Sequence, residues 1–250
     1  MGRALIAEQK FTGYGNNQIR GSAMKKAFFR LFCLFFVCLI NMPLACPADG
    51  QWKLAKDKKG VQVYTRPMPG SDILEFKARA MINAPIEVVA TVLSDIENFP
   101  EWMSKCKKTS IVEKRSNGAL LIKFVQTLPW PVANRDVILL TSTVLNEETG
   151  LMEVYMESVE KSEIPPMEDL VRMTGFKGKI ILENKGKNKT EMTFILWADP
   201  GGSLPARGVN GGTLNIPFRS LIGMKKMVKK KKYIKAAEKS IFKNKLSALK

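Results

Sequence analysis

From residue 61 to residue 197 apolar and polar side chains largely alternate, and the alternation predicts strands. Val61, Val63 and Tyr64 open one strand, which Pro67 and Pro69-Gly70 end. In Ile73–Ile82, Leu74, Phe76, Ala78, Ala80 and Ile82 alternate with mostly polar residues. Further strand-like runs occupy 106–114, Leu120–Leu128, Val137–Leu145 and Leu151–Ser158. Turn residues separate them at Asn117-Gly118, Pro129-Trp130-Pro131 and Asn146 to Gly150. Lys179–Glu183 and Thr190–Trp197 form a hairpin around Gly186. Met192, Phe194 and Leu196 face one side of it, Ile195 and Trp197 the other. Consecutive strands with short links predict a meandering antiparallel sheet.

Helical spacing appears in three places. Residues 51–56 (QWKLAK) predict a short amphipathic turn or helix, broken at Gly60. Asn83-Ala84-Pro85 starts a second helix, with Ile86, Val89, Val92 and Leu93 on its apolar face. A turn-rich stretch follows from Asp95 to Trp102. The third helix runs from Asn215 or Pro217 to about Lys245, its apolar face built from Phe218, Leu221, Ile222, Met224, Met227 and Val228. Before it lies a Gly/Pro-rich loop of fifteen residues, Asp199–Thr213. A loop of that length in a compact domain is usually functional or mobile. The fold class is α+β: a curved antiparallel sheet, a small early helical insertion and a long C-terminal helix.

The N-terminal pattern differs. Met24-Lys25-Lys26 and Arg30 precede ten wholly apolar residues, Leu31–Ile40, and a small-residue boundary ending at Ala48. This is the plan of an export signal. Ten residues are too few to span a bilayer, which takes about 20 in a helix. Cleavage after Ala48 or Ala45 is favoured over lipidation of Cys46, because Pro43 stands where a lipobox carries Leu. Residues 1–23 are polar, so Met24 is read as the initiator and 1–23 as a mis-assigned start or disordered leader. The expected organisation is therefore leader 1–23, signal 24–48 and one domain over 49–245. The expected location is outside the cytoplasm, in the periplasm of a bacterium.

Charge and composition narrow the function. The chain of 250 residues has a formal net charge of +17, yet residues 224–250 alone hold eleven Lys and one acid, Glu238. The body is nearly neutral, unlike a uniformly basic nucleic-acid-binding domain, so no nucleic-acid partner is expected. The chain has no His, which excludes Ser-His-Asp and Cys-His nucleophile pairs and His-based metal sites. Cys106 alone lies beyond the export segment, so the domain carries no internal disulfide and no CxxC site. Neither a metal nor an organic cofactor is expected.

Several segments, in order, resemble the START family (steroidogenic-acute-regulatory-related lipid transfer). Trp52 and Gly60–Arg66 resemble the family's opening strand. Leu128-Pro129-Trp130-Pro131 with Asn134-Arg135-Asp136 resembles its central Pro-x-x-x-Arg-Asp motif. Ile164-Pro165-Pro166 with Val171-Arg172 resembles the segment before its later strands. Ala198–Gly202, Leu204-Pro205 and Val209-Asn210 resemble the loop before its last helix. The similarity covers roughly residues 50–235. It implies a helix-grip (START/Bet v 1-like) fold, in which a curved antiparallel sheet wraps the C-terminal helix around an apolar tunnel holding a sterol, phospholipid or other apolar molecule. Two features depart from the family: Ala206-Arg207 follow Pro205 where an aromatic is common, and the loop Asn146–Gly150 is short.

Candidate tunnel residues are Phe99, Trp102, Phe124, Trp130, Met156, Met173, Phe194, Phe218, Leu221 and Ile222; each is equally suited to ordinary core packing. Thirteen Met favour an adaptable pocket. Arg135 either pairs locally or caps its loop, or it orients a polar group of the ligand; a buried Arg needs a partner, and Glu157 or Glu163 could supply one. Lys225, Lys226, Lys229, Lys230, Lys231 and Lys232 form either a solvated helix face or a contact with anionic lipid head groups. A monomeric lipid carrier or sensor is the leading expectation. A helix-grip enzyme such as a cyclase or hydrolase and a ligand-free interaction module are the alternatives.

Overall fold

The computed structural model describes residues 50–243 except 147, 160–163, 167 and 174, and every element below falls in one compact unit, Asp49–Lys250. The expected leader, export segment and Cys46, together with Glu163 and the chain end beyond 243, lie outside the described residues. Among the described residues no helix is long and apolar enough to cross a membrane.

Ten strands build the sheet: β1 (Lys53–Lys58), β2 (Val61–Met68), β3 (Ser71–Ile82), β4 (Cys106–Lys114), β5 (Leu120–Gln126), β6 (Asn134–Asn146), β7 (Leu151–Ser158), β8 (Leu170–Arg172), β9 (Gly175–Asn184) and β10 (Thr190–Asp199). The order is β1-β2-β3-β10-β9-β7-β6-β5-β4, with β8 alongside β6. Two three-stranded or longer meanders are joined where β10 returns to pair with β3, Met192 opposite Ala80 and Phe194 opposite Ala78. The period-2 pattern explains the placement: Phe76, Ala78, Ala80 and Ile82 are buried with Met192, Phe194 and Leu196 on one face. All pairings are antiparallel except β6 with β8.

The first correction concerns β1, which is a strand and not the helical turn that QWKLAK suggests. It is an edge strand with almost every side chain in solvent. Its Lys53, Lys56 and Lys58 suit an edge that must not recruit another strand.

Among the described residues the helices are α1 (Ile86–Ser94), α2 (Ala206–Thr213), α3 (Asn215–Met227) and α4 (Lys231–Glu238), with a 3-10 segment at Ile96–Glu101. α1 begins after Pro85, where a missing backbone donor costs nothing. Half of the expected fifteen-residue loop is helix α2. The expected long final helix is two: α3 closes at Val228, and Lys230 is extended at φ −71°, ψ 127°. The break turns α4 onto α1, burying Tyr233 and Ala237, and Tyr233 Oη donates to Asp95 Oδ2 at 2.9 Å.

α3 lies against β2 and β3, and Leu221, Met224 and Met227 enter the core. At Gly223 the approach is as close as backbones allow. An ideal Cβ there would stand 2.3 Å from Trp102 O and 2.9 Å from Trp102 Cα.

Candidate functional site: an apolar cavity under the sheet

The buried face of the sheet does not fill completely. A cavity of about 380 Å³ remains, near the lower end of the range for small-molecule sites. Strands from β3 round to β5 share its wall, so the sheet curves about it. Ile73, Leu74 and Phe76 come from β3, and Ile122, Phe124 and Gln126 from β5. Leu139 comes from β6, Met156 from β7, Phe176 from β9, and Phe194, Leu196 and Ala198 from β10. Phe99 and Met103 stand at one side. Leu204, Pro205, Gly208 and Val209 from α2 and its approach, with Ile216 at the start of α3, form the cover. Among the described residues, three that line it, Ser104, Lys105 and Gln126, carry polar side chains, and none is a carboxylate.

Gly178 shapes the floor. It sits between Met156 on β7 and Leu196 on β10 in register. An ideal Cβ would stand 2.9 Å from Met156 Cε, 3.1 Å from Leu196 Cδ1 and 3.2 Å from Phe176 Cε1. All three side chains lean over the glycine, and any larger residue would push them into the cavity.

Of the sequence candidates, Phe99, Phe124, Met156, Met173 and Phe194 line this cavity. Trp102, Trp130, Phe218, Leu221, Ile222 and Arg135 do not. Trp102 is buried beneath α3 and meets Phe99 edge to face, with ring centroids 5.2 Å apart. Phe218 packs under Lys56 Nζ at 4.1 Å, while Leu221 and Ile222 are taken up by the core contact of α3. Trp130 is 93% exposed at the tip of the β5–β6 loop, whose Leu128, Pro129 and Val132 do line the cavity.

Arg135 and Asp136 hold the rim together from behind it. Arg135 is 3% exposed. Its Nε donates to Pro200 O at 2.8 Å, its Nη2 to Gly201 O at 3.2 Å and its Nη1 to Ala133 O. Burial lowers its pKa from the ordinary value. Its protein partners are thus main-chain carbonyls, two from the late loop and one from Ala133, and not Glu157, which instead lies 3.4 Å from Lys177. Asp136 is fully buried and takes a two-pronged contact from Arg172, Nε and Nη2 each at 2.9 Å, with Lys123 at 3.6 Å. This pair fixes β8 against β6. α2 is tied to the start of β3 by Asn210, whose Oδ1 accepts from Leu74 N at 2.9 Å and whose Nδ2 donates to Asp72 O at 3.0 Å.

The six candidate lysines divide. Lys225 Nζ donates to Gly60 O at 3.0 Å and Lys59 O at 3.2 Å, and its partial burial lowers its pKa. Lys230 pairs with Glu101, and Lys232 lies 3.7 Å from Asp95. Lys226, Lys229 and Lys231 are exposed. Cys106 sits half-buried at the start of β4, where burial pushes its thiol up to about 12.

The cover helix α2 and the polar end at Ser104, Lys105 and Gln126 were not foreseen from the sequence. Gln126 did leave a signal, as a polar residue two positions beyond Phe124 and four beyond Ile122 on an inward face. α2 left none, because three glycines mask a helix.

Comparison with known proteins agrees with this architecture. The START domain family model matches residues 40–216. An uncharacterized protein of Pseudomonas aeruginosa is 26% identical over 180 residues, 72% of this chain and 88% of its own. Mouse START domain-containing protein 10 is 30% identical over 186 residues, 74% of this chain; the match spans 62% of the mouse protein's length. The crystal structure of a STAR-related lipid transfer protein fragment from Xanthomonas axonopodis superposes with a TM-score of 0.66 at 27% identity, covering 72% of this chain and 100% of that one. A ten-stranded sheet curved about an apolar cavity, with the matched sequence running through all of its strands, makes this chain a member of the START domain family.

Proposed function

We propose that this chain binds one lipid or other apolar molecule in the cavity and carries or senses it as a monomer outside the cytoplasm. The observation that carries the reading is the cavity itself, about 380 Å³ walled almost wholly by apolar side chains. Water held there would make few hydrogen bonds, and an alkyl chain entering it leaves water at a gain of about 0.8 kcal/mol per methylene. The similar Xanthomonas protein is a STAR-related lipid transfer protein by name, which supports the same reading. Catalysis is less well supported, because among the described residues the wall holds no carboxylate, tyrosine or thiol that could work with Lys105 as an acid–base pair.

Delivery calls for contact with a membrane. Trp130, exposed on the loop that rims the cavity, has the amphipathic ring that settles at lipid–water interfaces. Lys226, Lys229 and Lys231 add positive charge suited to anionic head groups. The export segment at 24–48 is the ground for placing the protein in the periplasm, and fractionation of the host tests that placement.

Native mass spectrometry of protein purified from the host envelope, followed by extraction, tests the binding claim. A stoichiometric apolar adduct is expected. A protein that is empty and takes up no sterol, fatty acid or phospholipid would refute the reading.

A further inference from the structure

The polar side chains of the cavity wall stand together. Ser104 and Lys105 lead into β4, and Gln126 closes β5. The sheet register joins them: Cys106 lies opposite Gln126, and Thr127 donates to Lys105 O from its N–H at 2.8 Å and from its Oγ1 at 3.2 Å. Gln126 follows Ile122 and Phe124 at intervals of two, so its amide shares their inward face. Lys105 adopts φ 66°, an uncommon conformation for a side chain of its size, and the two Thr127 hydrogen bonds hold it there. Among the described residues no protein group pairs with the Lys105 ammonium, whose residue is exposed at the edge of the cavity, or with the Gln126 amide, which is half-buried. The rest of the wall is apolar.

An apolar cavity with an exposed lysine at its opening and a half-buried amide beside it matches a molecule with an apolar chain and an anionic head that stays near water. We propose that the preferred ligand is a single-chain amphiphile ending in an oxyanion, its head held by Lys105 and Gln126 and its chain laid past Phe124 toward Phe194. The proposal rests on the lipid-binding reading and narrows it. The volume, low in the range for ligand sites, suits one chain better than two. Carboxylate and phosphate heads share the required chemistry: both accept from an ammonium and an amide N–H.

The test titrates the full chain with dodecanoate, dodecyl phosphate and dodecanol at low ionic strength. The wild-type protein is expected to prefer both anions over the alcohol by about tenfold, the scale of one charge-assisted hydrogen bond. Lys105→Gln is expected to abolish that preference and leave dodecanol binding within about twofold. Lys105→Asn, which tolerates the left-handed backbone, serves if the glutamine variant folds poorly. Lys107→Gln, on an exposed neighbour outside the wall, is expected to keep the preference. The tighter of the two anions identifies the head as carboxylate or phosphate. Equal binding of anion and alcohol, or a preference that survives Lys105→Gln, would overturn the head-group assignment while leaving lipid binding intact. Failure of the wild-type chain to bind all three would overturn both.

Discussion

Replacing Gly223 by Ala sets two effects of known sign against each other. In the middle of a helix the change is favourable by about 0.8–1 kcal/mol, because glycine has more backbone freedom to lose. At Gly223 the new methyl would meet Trp102 O at 2.3 Å, Cα at 2.9 Å and C at 3.0 Å. These are main-chain atoms of a buried residue, so no side-chain rotation relieves the contact. Overpacking of this kind costs about 1–3 kcal/mol, and the rigidity of the neighbour puts Gly223→Ala at the upper end. The net expectation is a loss of about 2 kcal/mol, or a fall in Tm of about 4–8 °C for a domain of this size. Gly211→Ala in α2 is the control, since its ideal Cβ meets nothing within 4 Å. There the helix term acts alone, and Tm should rise slightly. Thermal melts followed by circular dichroism read both. A Gly223→Ala protein that melts at or above the wild-type temperature would refute the close docking of α3 on Trp102.

Other outcomes follow from the same structure. Arg172→Met leaves the buried Asp136 with Lys123 alone at 3.6 Å, and urea titration should show a loss of about 3 kcal/mol, the low end for a broken buried pair; a loss below about 1 kcal/mol would mean that the pair behaves like a surface one. Burial favours the neutral Cys106 thiol, so its contribution to stability is present below pH 9.0 and is lost as pH rises toward about 12. Peptide mapping at pH 9 should accordingly show alkylation of Cys106 at least about 100-fold slower in the native chain than in denaturant. Trp130→Ser removes a side chain that is 93% exposed; stability should hold within about 0.5 kcal/mol while sedimentation with anionic vesicles falls, and unchanged vesicle binding would remove Trp130 from the membrane contact.

Much of the sheet was legible because burial on one face imposes a period of two. β3 and β10 show it plainly, and β7 runs from Leu151 to Ser158 as the pattern indicates. β1 was illegible for the converse reason: an edge strand with no buried face has no period to display. The break between α3 and α4 carries no Gly or Pro. It follows from the pull of Tyr233 toward Asp95, a contact between residues 138 positions apart. Arg135 was visible as a residue of interest, but two of its acceptors are carbonyls 65 and 66 positions away, and side-chain identity says nothing about main-chain acceptors. The cavity was only half legible. Inward aromatics and Met can be read from periodicity, whereas the choice between void and packed core depends on how Gly178 lets Met156, Phe176 and Leu196 settle.

The central claim is that this void holds an alkyl chain, and a chain-length series tests it most directly. Alkanoates of increasing length would be titrated against the wild-type protein and Gly178→Leu. The account predicts saturable one-to-one binding that tightens about fourfold per methylene, the equivalent of about 0.8 kcal/mol, until the cavity is full, and no such binding once Gly178→Leu drives its neighbours inward. Affinity independent of chain length, or undiminished in Gly178→Leu, would contradict it.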